Sequence, residues 1–279
     1  MDDKLEAALA RIAQALEAMA PPTAALASFE GARFFRHDPS SGDFIAAPDY
    51  GLPLALLVGV DRQKARLVET LRRFADGLAA NHVLLWGVRG TGKSSLAKAA
   101  FMSLAGDHPA LKLIEVDRDQ IGALPGLFEG LRDRSQRFVV LCDDLSFEEG
   151  AAAAKALKSA LEGGVAGPPE NALFVATSNR RHLMPRDHIE TRGAIAAAED
   201  AEEDVSVSDR FGLWIGFPPM DQADYLAAVR AYASHFGLGV ADLERRALQW
   251  SKLRGARSGR VAWQFIRDLA GELGKGLPG

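Results

Sequence analysis

Apolar positions recur along the chain in two rhythms. Short unbroken runs stand at VLLW (83–86), LKLIEV (111–116), FVVLC (138–142), ALFVAT (172–177) and LWIGF (213–217). Each reads as a strand buried on both faces. Helical repeats lie between most of them. Asp61 is placed to cap a helix carrying Leu67, Leu71, Phe74 and Leu78 on one face, stopping near Gly77. A second helix is predicted from Lys93 to Leu104, closed by Gly106, and a third from Ala151 to Leu161, closed by Gly163-Gly164. Strands alternating with helices predict an α/β fold, its parallel sheet covered on both sides.

After Pro218-Pro219 the strand runs stop. Helical repeats follow at 221–236 (Tyr225, Val229, Tyr232, Phe236), 243–253 and 261–273 (Phe265, Ile266, Leu269, Leu273), predicting a small all-helical C-terminal unit. Near the start, Leu5, Leu9, Ile12, Leu16 and Met19 share one helical face that Pro21-Pro22 ends. Residues 23–57 mix aromatics with Gly, Pro and Asp and predict loops and short strands. The expected organisation is an N-terminal helix and irregular extension (1–50), an α/β core (51–218) and a helical unit (219–279). The acidic stretch 187–207 is only weakly periodic and reads as an exposed loop or frayed helix.

Charge and composition narrow the partners. A formal charge of −4 over 279 residues gives no global attraction to nucleic acid or anionic lipid. The one cysteine, Cys142, sits inside an apolar run and reads as a small buried hydrophobe. The first twenty residues are too charged for a signal peptide and no segment is apolar enough to span a bilayer, so the expected location is cytoplasmic.

The chemistry is concentrated in GVRGTGKSS (87–95), a match to G-x-x-x-x-G-K-[ST] that follows a strand and opens a helix. Backbone amides of Gly87, Val88, Arg89, Gly90, Thr91 and Gly92 can curl around phosphates, with the helix N-terminus adding partial positive charge. Lys93 is placed to reach the β- and γ-phosphates and Ser94, beside Ser95, to bind magnesium. No N-K-x-D base reader is present, which favours ATP over GTP.

Four further features follow in order. Asp143, at the end of FVVLC, can hold magnesium, and Asp144 stands where a water-activating acid belongs. Asn179 ends the strand ALFVATSN and can orient water or touch the γ-phosphate. Arg210 in SDRFG can act as a finger on a neighbouring subunit's nucleotide. Arg260 in GARSGRVAWQF can set a guanidinium over the phosphates, while Arg254 and Arg257 leave a basic patch for a partner open.

In this order the motifs resemble AAA+ ATPases over about residues 50–279. The resemblance implies a five-stranded sheet of order 5-1-4-3-2 with a C-terminal helical lid. It makes Lys93 and Ser94 part of Walker A, Asp143 and Asp144 Walker B, Asn179 sensor 1, Arg210 the arginine finger and Arg260 sensor 2. The stretch LVGVDRQKARL (57–67), with Val58 and Gly59, is similar to the AAA+ segment that packs on adenine. More narrowly, GVDRQK, LLWGVRGTGKSSLAKA, CDDLSFE, TSNRRHLMP and SDRFGLW resemble a family of uncharacterised bacterial AAA+ ATP-binding proteins.

Asp144 departs from the usual glutamate and is shorter by about 1.5 Å, one C–C bond. A displacement of about 1 Å can cost roughly a hundredfold in rate, so slow or assembly-dependent Mg-ATP hydrolysis is expected, with Glu148 and Glu149 as reserve acids. The competing readings are a nucleotide-gated switch that rarely hydrolyses, and a DNA-associated loader. An unknown protein partner and a nucleotide-dependent homo-oligomer are the expected associations.

Overall fold

The computed structural model describes residues 29–146, 151–163, 167–179 and 209–277. The expected helix at 5–19, Glu148, Glu149 and the acidic stretch 187–207 lie outside the described residues. Strands β1 (Phe34–His37), β2 (Phe44–Ala47), β3 (Val83–Gly87), β4 (Leu111–Val116), β5 (Arg137–Cys142), β6 (Ala172–Ser178) and β7 (Leu213–Phe217) form one sheet in the order β2-β1-β4-β5-β6-β3-β7. The five expected strands stand in it as β7-β3-β6-β5-β4, and neighbours among them are parallel.

Two expectations are corrected here. Among the described residues the sheet has seven strands, not five, and is mixed, because a hairpin from the supposed irregular extension joins its edge. β1 runs parallel to β4, pairing Phe34 with Leu113, and β2 returns antiparallel to β1. The α/β part therefore begins before residue 51. Phe29 and Phe35 explain the attachment: both are buried, with ring centroids 4.9 Å apart, and Phe29 also meets Phe138 of β5 at 4.7 Å.

The strands are apolar throughout because both faces are covered. Along β5, Phe138, Val140 and Cys142 enter one core layer while Val139 and Leu141 enter the other, the period of two that a pleated strand imposes. The first layer is closed by α3 (Leu124–Leu131) and α4 (Ala151–Glu162), the second by α1 (Asp61–Ala75) and α2 (Lys93–Ala105). Burial raises the Cys142 thiol to about 12, as expected for an inert core cysteine.

Helix ends differ from the sequence expectation in detail. Asp61 is the first residue of α1 rather than its cap, which is Val60. The helix stops at Ala75, Gly77 turns left-handed at φ +81°, and Leu78 is carried out to solvent. Gly106 closes α2 with φ −69°, right-handed rather than left-handed.

Helices α5 (Gln222–His235), α6 (Leu243–Leu253) and α7 (Gly259–Glu272) bury a third apolar core of their own. The Tyr225 hydroxyl donates to the Ala247 carbonyl at 3.0 Å, pinning α5 to α6. Leu56 enters this core while Leu57 and Val60 enter the sheet's, so the segment between them is the seam joining the two parts. No described helix is long and apolar enough to cross a membrane.

Candidate functional site

β3 lies between β6 and β7 although β4 follows it in sequence, so the chain leaves its C-terminal end at the place where open α/β sheets form their crevice. There the glycine-rich loop turns into α2. Gly90 and Gly92 take φ of +82° and +93°, a region costly for residues with a Cβ. Gly87 is held more tightly: a Cβ there would sit 2.2 Å from the Phe217 carbonyl oxygen of β7. The first turn of α2 contains no acid, so its unpaired amides keep their positive character.

Lys93 is 6% exposed, and its ammonium donates to the carbonyls of Gly87 (2.8 Å) and Val88 (3.0 Å) and to Asn179 Oδ1 (3.1 Å). Burial lowers its pKa, the nearby Asp143 and Asp144 oppose that shift, and Arg260 adds to it. Asn179 Nδ2 in turn donates to Asp144 Oδ1. The amide thus shows its oxygen to a cation and its nitrogen to an anion, the only orientation that satisfies both. Beside this relay, Ser94 Oγ and Thr177 Oγ1 both donate to Asp143 Oδ1.

These groups line a cavity of about 560 Å³, within the range of small-molecule sites. Val58, Arg89, Gly90, Thr91, Gly92, Ser94, Ser95 and Arg260 also line it. Three expected residues do not. Gly87 and Val88 lie outside the wall and act through their carbonyls on Lys93. Gly59 packs on α5, where a Cβ would meet Asp224 at 2.8 Å. An aromatic cluster also lines the cavity, and sequence reasoning missed it as part of the site. Trp263 stands 5.4 Å from the Tyr232 ring and 5.6 Å from the Phe236 ring there. Two of these aromatics had been legible only as a helical stripe. Thr177 was also missed.

The helical unit touches the loop directly. The Arg260 amide donates to the Gly90 carbonyl at 3.3 Å, and Ser258, the side-chain cap of α7, packs over Gly90. Arg210 is different. It precedes β7, whose first residue pairs with Val83 at the start of β3, so it sits at the sheet edge opposite the loop. Five residues of strand separate the two edges, about 16 Å. Its guanidinium pairs with Glu162 at the end of α4 at 2.5 Å.

A mostly parallel sheet carrying a glycine-rich loop at its switch point, with a helical unit set against that loop, has the fold of AAA+ P-loop proteins. A family model described as "Protein of unknown function (DUF815)" matches residues 30–273, and the chain belongs to that family. Among solved structures it is similar to the Aeropyrum pernix ORC1 protein in complex with DNA, at 18% identity and a TM-score of 0.56, covering 81% of this chain and 61% of that one. It is also similar to a RuvB variant of Thermotoga maritima, at 16% identity and a TM-score of 0.50, covering 82% and 85%. A search of curated proteins returns no match.

Proposed function

We propose that the protein is an ATPase whose nucleotide state is passed to the C-terminal helices, acting as a lid, and through them to a protein partner. The observation that carries this is the continuous relay Lys93–Asn179–Asp144 beside the Ser94–Asp143 pair, in a cavity that an aromatic cluster also lines. The loop amides and Lys93 bind the phosphates, and the aromatic cluster takes the base. Ser94 and Asp143 are a hard-oxygen pair suited to Mg2+, which when bound neutralises charge on the β- and γ-phosphates. Asp144 accepts the proton of the attacking water, and Asn179 holds that carboxylate in place. Arg260 senses the phosphates from the lid side. Arg210, remote from its own cavity, serves the nucleotide of a neighbouring copy, so turnover depends on assembly.

A nucleic-acid role has less support. Arg254 stacks on Trp250 at 4.9 Å, and Arg257 donates to Gln222 at 3.0 Å, so both are engaged within the helical unit. Steady-state phosphate release tests the reading. It should be abolished by Lys93→Ala, strongly reduced by Asp144→Asn, and rise per protomer with protein concentration unless Arg210 is replaced by Ala. Wild-type turnover no faster than that of Lys93→Ala at any concentration refutes hydrolysis, and tight ATP binding in that case leaves the switch reading.

A further inference from the structure

Asp144 has φ +55°, and among the described residues only one other non-glycine residue, Asp242, is left-handed. In that region Cβ crowds the following carbonyl, and aspartate and asparagine are the residues that tolerate it best. Strain of this kind persists where the surroundings over-determine it. Among the described residues, Thr177 holds the backbone on both sides of this turn. The β5–β6 ladder ends at the Cys142–Ala176 pair, and beyond it Thr177 holds the chain. Its hydroxyl accepts from the Asp144 amide at 2.9 Å while donating to Asp143 Oδ1, and its carbonyl accepts from the Leu145 amide at 2.7 Å. Thr177 is 1% exposed, so no solvent competes for these bonds.

We propose that Thr177 is a positioning residue for both acids, and that the left-handed turn it holds is what selects aspartate at position 144. This rests on the ATPase reading above. The turn swings the short side chain to Asn179 Nδ2, so the backbone supplies the reach that a glutamate would take from an extra methylene. A glutamate here meets the backbone penalty and also overshoots Asn179. The residue that looked like a deficient base is fitted to its backbone.

Full-chain variants test this by steady-state phosphate release and urea unfolding. Thr177→Val keeps the shape and removes the hydroxyl. It should lower kcat at least tenfold with KM for ATP changed no more than threefold, since the loop still holds the phosphates. Thr177→Ser should stay within threefold of wild type. Asp144→Glu should lower kcat tenfold or more. A Thr177→Val enzyme as fast as wild type, or an Asp144→Glu enzyme faster than it, overturns the proposal. Urea midpoints read the turn without turnover: in each pair, Asp against Glu and Asn against Gln at 144, the longer side chain should unfold at lower urea. Equal midpoints overturn the backbone argument. If wild type releases no more phosphate than Lys93→Ala, the ATPase reading fails alone, and the urea series still decides the turn.

Discussion

Gly90→Ala tests the contact between loop and lid. The added Cβ stands in a φ of +82°, which costs about 1–2 kcal/mol for an L-residue. It also meets Ser258 Oγ at 3.0 Å and Ser258 Cβ at 3.2 Å. Ser258 caps α7 through the Val261 amide and is 8% exposed, so it has little room to withdraw, and overpacking of this kind costs about 1–3 kcal/mol. The sum is about 2–5 kcal/mol. Ser258→Gly removes the opposing atoms and, as glycine is a fair helix cap, costs only a few tenths of a kcal/mol itself. In that background Gly90→Ala should cost only the backbone part. Urea unfolding of the four proteins of the cycle measures the difference, expected at 1 kcal/mol or more. Additivity within about 0.5 kcal/mol would refute the contact.

Other outcomes follow from the same geometry. Cys142, with its thiol raised to about 12 by burial, should resist alkylation by iodoacetamide at pH 8 and react once urea unfolds the chain, as mass spectrometry will show. His82 is held neutral, its pKa lowered to about 4 by burial, and its Nδ1 accepts from the Phe174 amide at 3.0 Å. The unfolded imidazole titrates near 6.5, so between the two values the unfolded state binds the extra proton. Stability should therefore fall as pH drops from 6.5 toward 4, and His82→Asn should flatten urea midpoints across that window. Glu162→Gln removes a half-exposed ion pair with Arg210 and should change stability by less than about 1 kcal/mol in the same assay.

The features legible in sequence are those carried by local periodicity. VLLW, FVVLC and ALFVAT announce buried strands because both faces of each are covered, and the three C-terminal helices show stripes because one face of each is buried in the third core. The hairpin β1–β2 was not legible as part of the sheet. Each strand has four residues, too few for a period, and Phe34 finds its partner Leu113 far along the chain. Leu78 fits the helical repeat, but repeat counting cannot see Gly77 turning the chain first. Lys93, Ser94, Asp143, Asp144 and Asn179 could be singled out in sequence because each lies within two residues of an element's end. Thr177 and Trp263 were not, since their role is a contact between distant segments. Gly59, expected beside the base, packs on Asp224 and does not line the cavity.

The three oxygens around the Lys93 ammonium set a threshold for what the loop accepts. Hydrogen bonds to a charged group contribute about 1.5–3 kcal/mol each, and a ligand that recruits the ammonium must replace the ones it displaces. Orthophosphate offers the lysine that exchange and meets the loop amides, but leaves the aromatic cluster of Tyr232, Phe236 and Trp263 untouched. On the ATPase reading proposed above, a whole nucleotide adds the contact of its base with that cluster, a gain independent of the lysine. The loop's internal bonding would then favour a complete nucleotide over a fragment that carries the phosphate charge alone.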